Sequence, residues 1–202
     1  EQTIDALNIK DFKLIYGVML NVFYNDNIYK VVVLIKNKNG ISSLYKELNV
    51  YNKHEKIPLS WLMTLRRNFV LGLVYENKNY DNDLLECFDY IEVNNKISKL
   101  DLEKLKNKYL VIYSNMLNAL SDEEVIAKKV LYNKLKINKE IENRIYKNTE
   151  ETLKEIKDYD IVVTNTNKIF NMIEKFDILD DNLLLPKNNK FDIETLSYLS
   201  LY

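Results

Sequence analysis

The run Val31-Val32-Val33-Leu34-Ile35 constrains this chain more than any other feature, because five consecutive apolar residues, most of them β-branched, suit a short strand covered on both faces. Such a strand needs helices above and below its sheet. Tyr109-Leu110-Val111-Ile112-Tyr113 repeats the signal, and Ile161-Val162-Val163 gives a shorter version, so both are read as buried strands. Phe69 to Val74 is a further strand candidate, and so is Ile57 to Met63, which admits Pro58 only at its beginning. Helical patterns lie between them. Ser42 to Leu48 reads as the start of a helix with Ser42 or Ser43 near its N-terminus. Leu84, Leu85, Phe88 and Ile91 recur at helical spacing, as do the apolar residues of Leu100 to Leu105. Ser121-Asp122-Glu123-Glu124 opens a long helical region in the manner of a capping box, running to about Lys157 with a break near Ile137-Asn138, and Asn167 to Phe176 closes the pattern. Strands separated by helices of this length imply crossover units, hence an α/β fold of three layers with a mainly parallel sheet and flanking helices.

The two ends read differently from the middle. Ile4, Leu7, Phe12, Ile15, Met19, Val22 and Phe23 recur at spacings near three and four, which predicts an N-terminal helical extension over 1–27, ended by Asn25-Asp26-Asn27. Residues 177–202 carry Leu183-Leu184-Leu185-Pro186, then Phe191, Ile193, Leu196, Tyr198, Leu199 and Leu201. A segment so apolar is expected to dock, on the body or on a partner chain. The α/β domain itself is assigned to 28–176.

Composition removes several function classes. The 29 basic and 30 acidic side chains leave a formal charge of -1, which argues against a nucleic-acid binder that works by bulk electrostatics. One cysteine, Cys87, and one histidine, His54, exclude a disulfide framework and a Cys/His zinc site. His54 reads as an exposed loop residue, and Cys87 as a core thiol among Leu84, Phe88 and Ile91. No apolar stretch approaches the roughly 18 to 20 residues of a membrane span, and Glu1-Gln2 opens no signal peptide, so a cytoplasmic location is expected. The fifteen Tyr fall mostly at apolar positions, where packing explains them without stacked bases. Only Arg66, Arg67 and Arg144 are Arg, which makes each of them a candidate for the bidentate recognition of phosphate or carboxylate.

From Glu142 to Phe176 the chain resembles the guanylate kinase family. The matching positions are Arg144-Ile145, Glu151, Tyr159-Asp160, Ile161-Val162-Val163 and Asn165. Working backward, Val31 to Leu44 sits where that family has its first strand, its phosphate loop and the start of its first helix. Such a loop closes backbone N–H groups around phosphate through its glycines, neutralises charge with a Lys and holds magnesium with a hydroxyl. In register, Gly40 and Ser42 keep two of these parts, while Ile35 stands for the first Gly and Ile41 for the Lys. Lys36 or Lys38 is the available substitute. On the monophosphate side the resemblance points to Ser60, Thr64, Arg66 and Arg67, and to Asn79-Tyr80; adjacent Arg66 and Arg67 point to opposite faces of a strand and do not clamp one phosphate together.

The resemblance implies a P-loop kinase-like fold carrying a pseudoenzyme. Lys38, Gly40, Ser42 and Arg144 would be vestigial nucleotide-binding residues, and Ser60, Arg66, Arg67 and Tyr80 would line a monophosphate cleft reused for a partner. Simpler readings stand beside these: a turn with an N-cap at Gly40 and Ser42, a surface pair at Arg66-Arg67, a solvated helical Arg144. The function implied is a catalytically impaired guanylate-kinase-like module that binds a protein or self-associates, with no catalytic residue, metal or cofactor. Two alternatives remain open: a divergent nucleoside-monophosphate kinase that uses ATP and magnesium, and an interaction factor of unrelated α/β fold.

Overall fold

The computed structural model describes residues 13–51, 57–76, 78, 80–114, 119–137 and 145–176. The expected N-terminal helix over residues 1–12, the loop position of His54, Asn79, Arg144 and the docking segment 177–202 lie outside the described residues.

The first two described strands form a hairpin. β1 (Gly17–Tyr24) and β2 (Asn27–Ile35) pair antiparallel in register from Gly17 opposite Leu34 to Tyr24 opposite Asn27. The two residues between them, Asn25 and Asp26, have φ of 45° and 60°, which gives a turn of the mirror-image type that matches the twist of paired strands. Asn and Asp tolerate that backbone region because their short side chains bond locally. This corrects the helix expected through residue 24. The spacing of Met19, Val22 and Phe23 suits a helix, but the unpaired edge of β2 takes them as a strand and buries Val22.

α1 (Lys38–Tyr51) follows β2, and β3 (Ile57–Pro58) then pairs parallel with β1. The strand expected over 57–63 ends after two residues, because α2 (Leu59–Thr64) turns Leu59 and Leu62 into the core with Pro58 at its N-cap. A 3₁₀ turn, Arg66–Asn68, leads into β4 (Phe69–Val74), antiparallel to β2. From there the chain alternates. α3 (Asn82–Glu86), β5 (Tyr90–Val93), α4 (Lys99–Lys106) and β6 (Val111–Tyr113) follow, with β4, β5 and β6 mutually parallel. The six strands run in the order β3-β1-β2-β4-β5-β6. The result is an α/β fold on a mixed sheet with flanking helices: parallel beyond β4, antiparallel on both sides of β2.

The sheet's larger face carries Val31, Val33, Phe69, Leu71, Leu73, Ile91, Val93 and Val111, closed by α2, α3, α4 and Ile161. The smaller face carries Val70 and Tyr90 under Ile169 and Ile173. After β6 the chain forms α5 (Asp122–Lys134), capped by Ser121, and α6 (Thr149–Ile156), where Asn148 and Glu151 complete a reciprocal capping box. α6 ends at Lys157 in the left-handed region, φ 54°.

Ile161-Val162-Val163 is the second correction. These residues belong to a wide π-helical turn, Asp160–Thr164, that runs directly into α7 (Asn165–Met172). Three β-branched residues are too few to dictate a strand against the local context. Here Asp158, paired with Lys106, accepts the Ile161 N–H at 3.2 Å and starts a helical turn, while Ile161 fills the core from it. Among the described residues no helix is long and apolar enough to cross a membrane.

Candidate functional site

The site grows from the junction between β2 and α1. Because β2 is antiparallel to both neighbours, its carboxyl end meets the amino ends of β1 and β4 instead of opening into a crevice between parallel strands. The backbone there is consumed internally. The Ile35 N–H donates to Tyr16 O at 2.8 Å, the Lys36 N–H to Asn68 O at 2.9 Å, and Lys36 O accepts the Glu174 N–H at 2.8 Å. Gly40 N–H donates to Asn37, to its backbone oxygen at 2.9 Å and its side-chain oxygen at 3.2 Å. A Cβ on Gly40 would stand 2.7 Å from Asn68 O and 2.8 Å from Ile35 Cγ2. Gly40 is therefore demanded by a close approach of two backbones, with no anion-sized space between them.

The helix begins at Lys38, four residues ahead of the start expected at Ser42. Gly40 is thereby its third residue and Ser42 lies within its second turn. That shift of register aligns Asn39, Ser42, Ser43 and Lys46 at the i, i+3, i+4, i+7 positions of one face. The face borders an open depression of about 560 Å³ whose remaining walls are Asn37, Arg67 and Asn68. Two cations, three amides and two hydroxyls converge there, and among the described residues no carboxylate lines it. The walls are fixed from within. Asn68, buried, donates from Nδ2 to Ser43 Oγ at 3.2 Å, and Ser43 Oγ donates to Asn39 O at 3.0 Å. Donors without a matching acid suit an oxyanion or a carboxylate, with Arg67 able to present a two-pronged contact.

The other expected site residues disperse. Arg66 turns away from its neighbour and pairs with Asp89 at 2.9 Å, and Asp89 also accepts the Leu71 N–H at 2.8 Å, which ties the 3₁₀ turn to β4. Ser60 is exposed on α2 and Lys38 is exposed at the start of α1; neither lines the depression. Tyr80 lies beyond the far end of β4. Its hydroxyl accepts the Glu76 N–H at 2.8 Å and donates to Val74 O at 3.3 Å, and its ring meets Tyr75 and Tyr29. Burial pushes the Tyr80 hydroxyl up to about 12. Tyr80 thus holds the turn after β4, roughly 20 Å of strand away from Arg67. Ser42 and Arg67 are the two expected residues that the fold brings together.

Asn37, Asn39, Ser43, Lys46 and Asn68 are site residues that sequence reasoning passes over. The signal for three of them is the polar stripe 39, 42, 43, 46, legible once the helix is started at Lys38. One buried carboxyl stands apart: Glu92, central in β5, is raised above the usual carboxylate range by desolvation, against a hydrogen bond with Ser114. Among the described residues no group of His, Cys, Asp or Glu is placed to hold a metal.

No protein-family profile and no solved structure matches the chain. It is similar to DNA polymerase III PolC-type from two strains of Staphylococcus epidermidis, 24% identical over 229 aligned residues in each case. The similarity covers 86% of this chain, which spans 16% of the length of those proteins.

Proposed function

We propose that this chain is an interaction module whose groove beside α1 receives an anionic group, a carboxylate or phosphate, from a protein partner. The observation that carries the reading is the contrast at the end of β2: the loop spends its own N–H groups on Asn68 and Asn37, while Arg67 and Lys46 line an adjoining open depression that no carboxylate lines among the described residues. A nucleotide kinase needs the reverse arrangement, an empty backbone cradle backed by a Lys. The form of the reading with an unrelated α/β fold has more support than the guanylate-kinase-like form, since β2 is antiparallel on both sides and Ile161-Val162-Val163 is helical.

The similarity to DNA polymerase III PolC-type favours one second reading, in which the chain is a module of a larger polymerase-like protein and the anion is a nucleic-acid phosphate. The two differ in what displaces the bound anion. Amide shifts of Ser42, Ser43 and Asn68 are followed while phosphate, an acidic peptide and a short single-stranded DNA are titrated into the full chain. The first reading expects saturable shifts with the peptide, abolished in Arg67→Ala and in Lys46→Ala at unchanged thermal stability. Binding of DNA alone, with a steep salt dependence, selects the second reading. Absence of shifts at these residues with every ligand removes both.

A further inference from the structure

We propose that the groove lined by α3 and α4 binds an extended segment of a partner protein in which one large apolar side chain is flanked by carboxylates. The groove has a volume of about 540 Å³ and lies beyond the carboxyl end of β4, at the opposite end of that strand from Arg67 and the depression beside α1. Its floor is Leu85 of α3 and Leu105 of α4, both buried. Three half-buried tyrosines flank that floor: Tyr75 and Tyr80, whose rings pack 4.9 Å apart after β4, and Tyr109 ahead of β6. Tyr80 spends its hydroxyl on the backbone at Glu76 and Val74, so what it offers the groove is ring surface. Leucine side chains walled by tyrosine rings suit one bulky apolar group.

The rim sets the charge of the occupant. Lys78, Lys104 and Lys108 are exposed along it, against one carboxylate, Asp101. Asp101 is already committed: it accepts the Ser98 hydroxyl at 2.7 Å at the start of α4 and stands 3.9 Å from Lys104. Lys78 pairs with Glu76 at 2.9 Å, and Lys108 meets no carboxylate at ion-pair distance among the described residues. A cationic rim over an apolar floor complements a segment that is acidic and apolar at once. The shape calls for a chain and not a compact ligand. Asp101, Lys104 and Leu105 share one face of α4, whose eight residues are about 12 Å long, and Lys108 continues that line past the helix end. Lys108 and Tyr109 also border two further depressions, of about 560 and 400 Å³, so the groove stays open beyond them. The carboxylates Glu86 and Asp160 lie along those continuations. A nucleic-acid strand, charged at every phosphate, would run onto them, whereas a peptide carries its acids only opposite the lysines.

The test follows the isotope-labelled methyls of Leu85 and Leu105 in the full chain while an acetylated peptide, one phenylalanine with two aspartates on each side, is titrated in. The expected result is saturable shifts of both residues. A counterpart with alanine for the phenylalanine binds about tenfold or more weakly, and one with lysines for the aspartates does not bind. In the protein, Lys104→Glu combined with Lys108→Glu, at unchanged thermal stability, weakens the aspartate peptide by about tenfold or more, while Arg67→Ala leaves the titration as in the parent. Methyls that stay in place with the aspartate peptide overturn the proposal, and so does equal binding of the alanine counterpart. Shifts lost in Arg67→Ala overturn it by placing the peptide beside α1. An oligothymidylate that moves the same methyls at a lower concentration than the peptide overturns it by assigning the groove to a nucleic-acid strand.

Discussion

Gly40→Ala separates the two meanings a glycine can have at the end of β2. If Gly40 were kept for a phosphate loop, an alanine in the first turn of α1 would leave the unliganded fold intact and add helix propensity worth up to about 1 kcal/mol. The geometry says otherwise. The new methyl would sit 2.7 Å from Asn68 O and 2.8 Å from Ile35 Cγ2. Neither neighbour yields easily, since Asn68 O already accepts the Lys36 N–H and Ile35 is buried. Overpacking of this kind costs about 1–3 kcal/mol, and stretching the Lys36 bond adds up to about 1 kcal/mol. After subtracting the propensity gain, a net loss of about 1–3 kcal/mol remains. At about 2–4 °C per kcal/mol for a chain of this length, the melting temperature falls by roughly 2–12 °C. Urea unfolding of Gly40→Ala beside Asn39→Ala, an exposed neighbour, measures it: the midpoint drops for the first and hardly moves for the second, with the slope unchanged in both. A Gly40→Ala chain as stable as its parent refutes the close-approach argument.

Other expectations follow from the same coordinates. Gly72 in β4 lies under the ring of buried Tyr90, so Gly72→Ala drives a methyl into that ring and costs about 1–3 kcal/mol in urea unfolding; a Gly72→Ala, Tyr90→Leu double variant recovers part of it, and strict additivity counts against the contact. For Glu92, burial raises the folded-state pKa, so its stabilising contribution is complete below the unfolded value of about 4.3 and is lost as pH climbs through the folded value. Glu92→Gln, which keeps the shape, therefore gains stability relative to the parent as pH rises from 4 towards 8, and parallel stability–pH curves contradict this. Arg66→Ala frees Asp89 from its ion pair at a partly exposed site, so unfolding shifts by less than about 1 kcal/mol while anion shifts at Ser42 stay as in the parent; loss of those shifts would place Arg66 in the groove.

What the sequence discloses tracks how much of a signal is local. Val31 to Ile35 and Phe69 to Val74 are legible because an unbroken apolar run of that length has few other homes, and Ser121 as a cap is legible because capping is a contact within one turn. β1 is not, since its apolar residues satisfy a helical spacing as well as a strand, and the deciding partner is the edge of β2. β5 is hidden for a related reason: Leu84, Leu85, Phe88 and Ile91 carry a helical rhythm across the boundary between α3 and the strand, and the charged Glu92 interrupts an otherwise apolar Tyr90–Val93. Ile161-Val162-Val163 shows the opposite error, a strand-like composition overruled by Asp158 and a core socket. At the site, Ser42 and Arg67 stand out by residue type. The stripe through Asn39, Ser43 and Lys46 depends on starting α1 at Lys38, and that start is set by Asn37 and the fit of Gly40 against Asn68, a contact across many residues of chain.

If the end of β2 is filled backbone and not a nucleotide cradle, calorimetric titration of the full chain with ATP and magnesium, followed by GMP, has a definite outcome. Neither nucleotide gives saturable heat. Binding in the low micromolar range, removed by Ser42→Ala and by Lys38→Ala, would contradict it and restore the phosphoryl-transfer alternative.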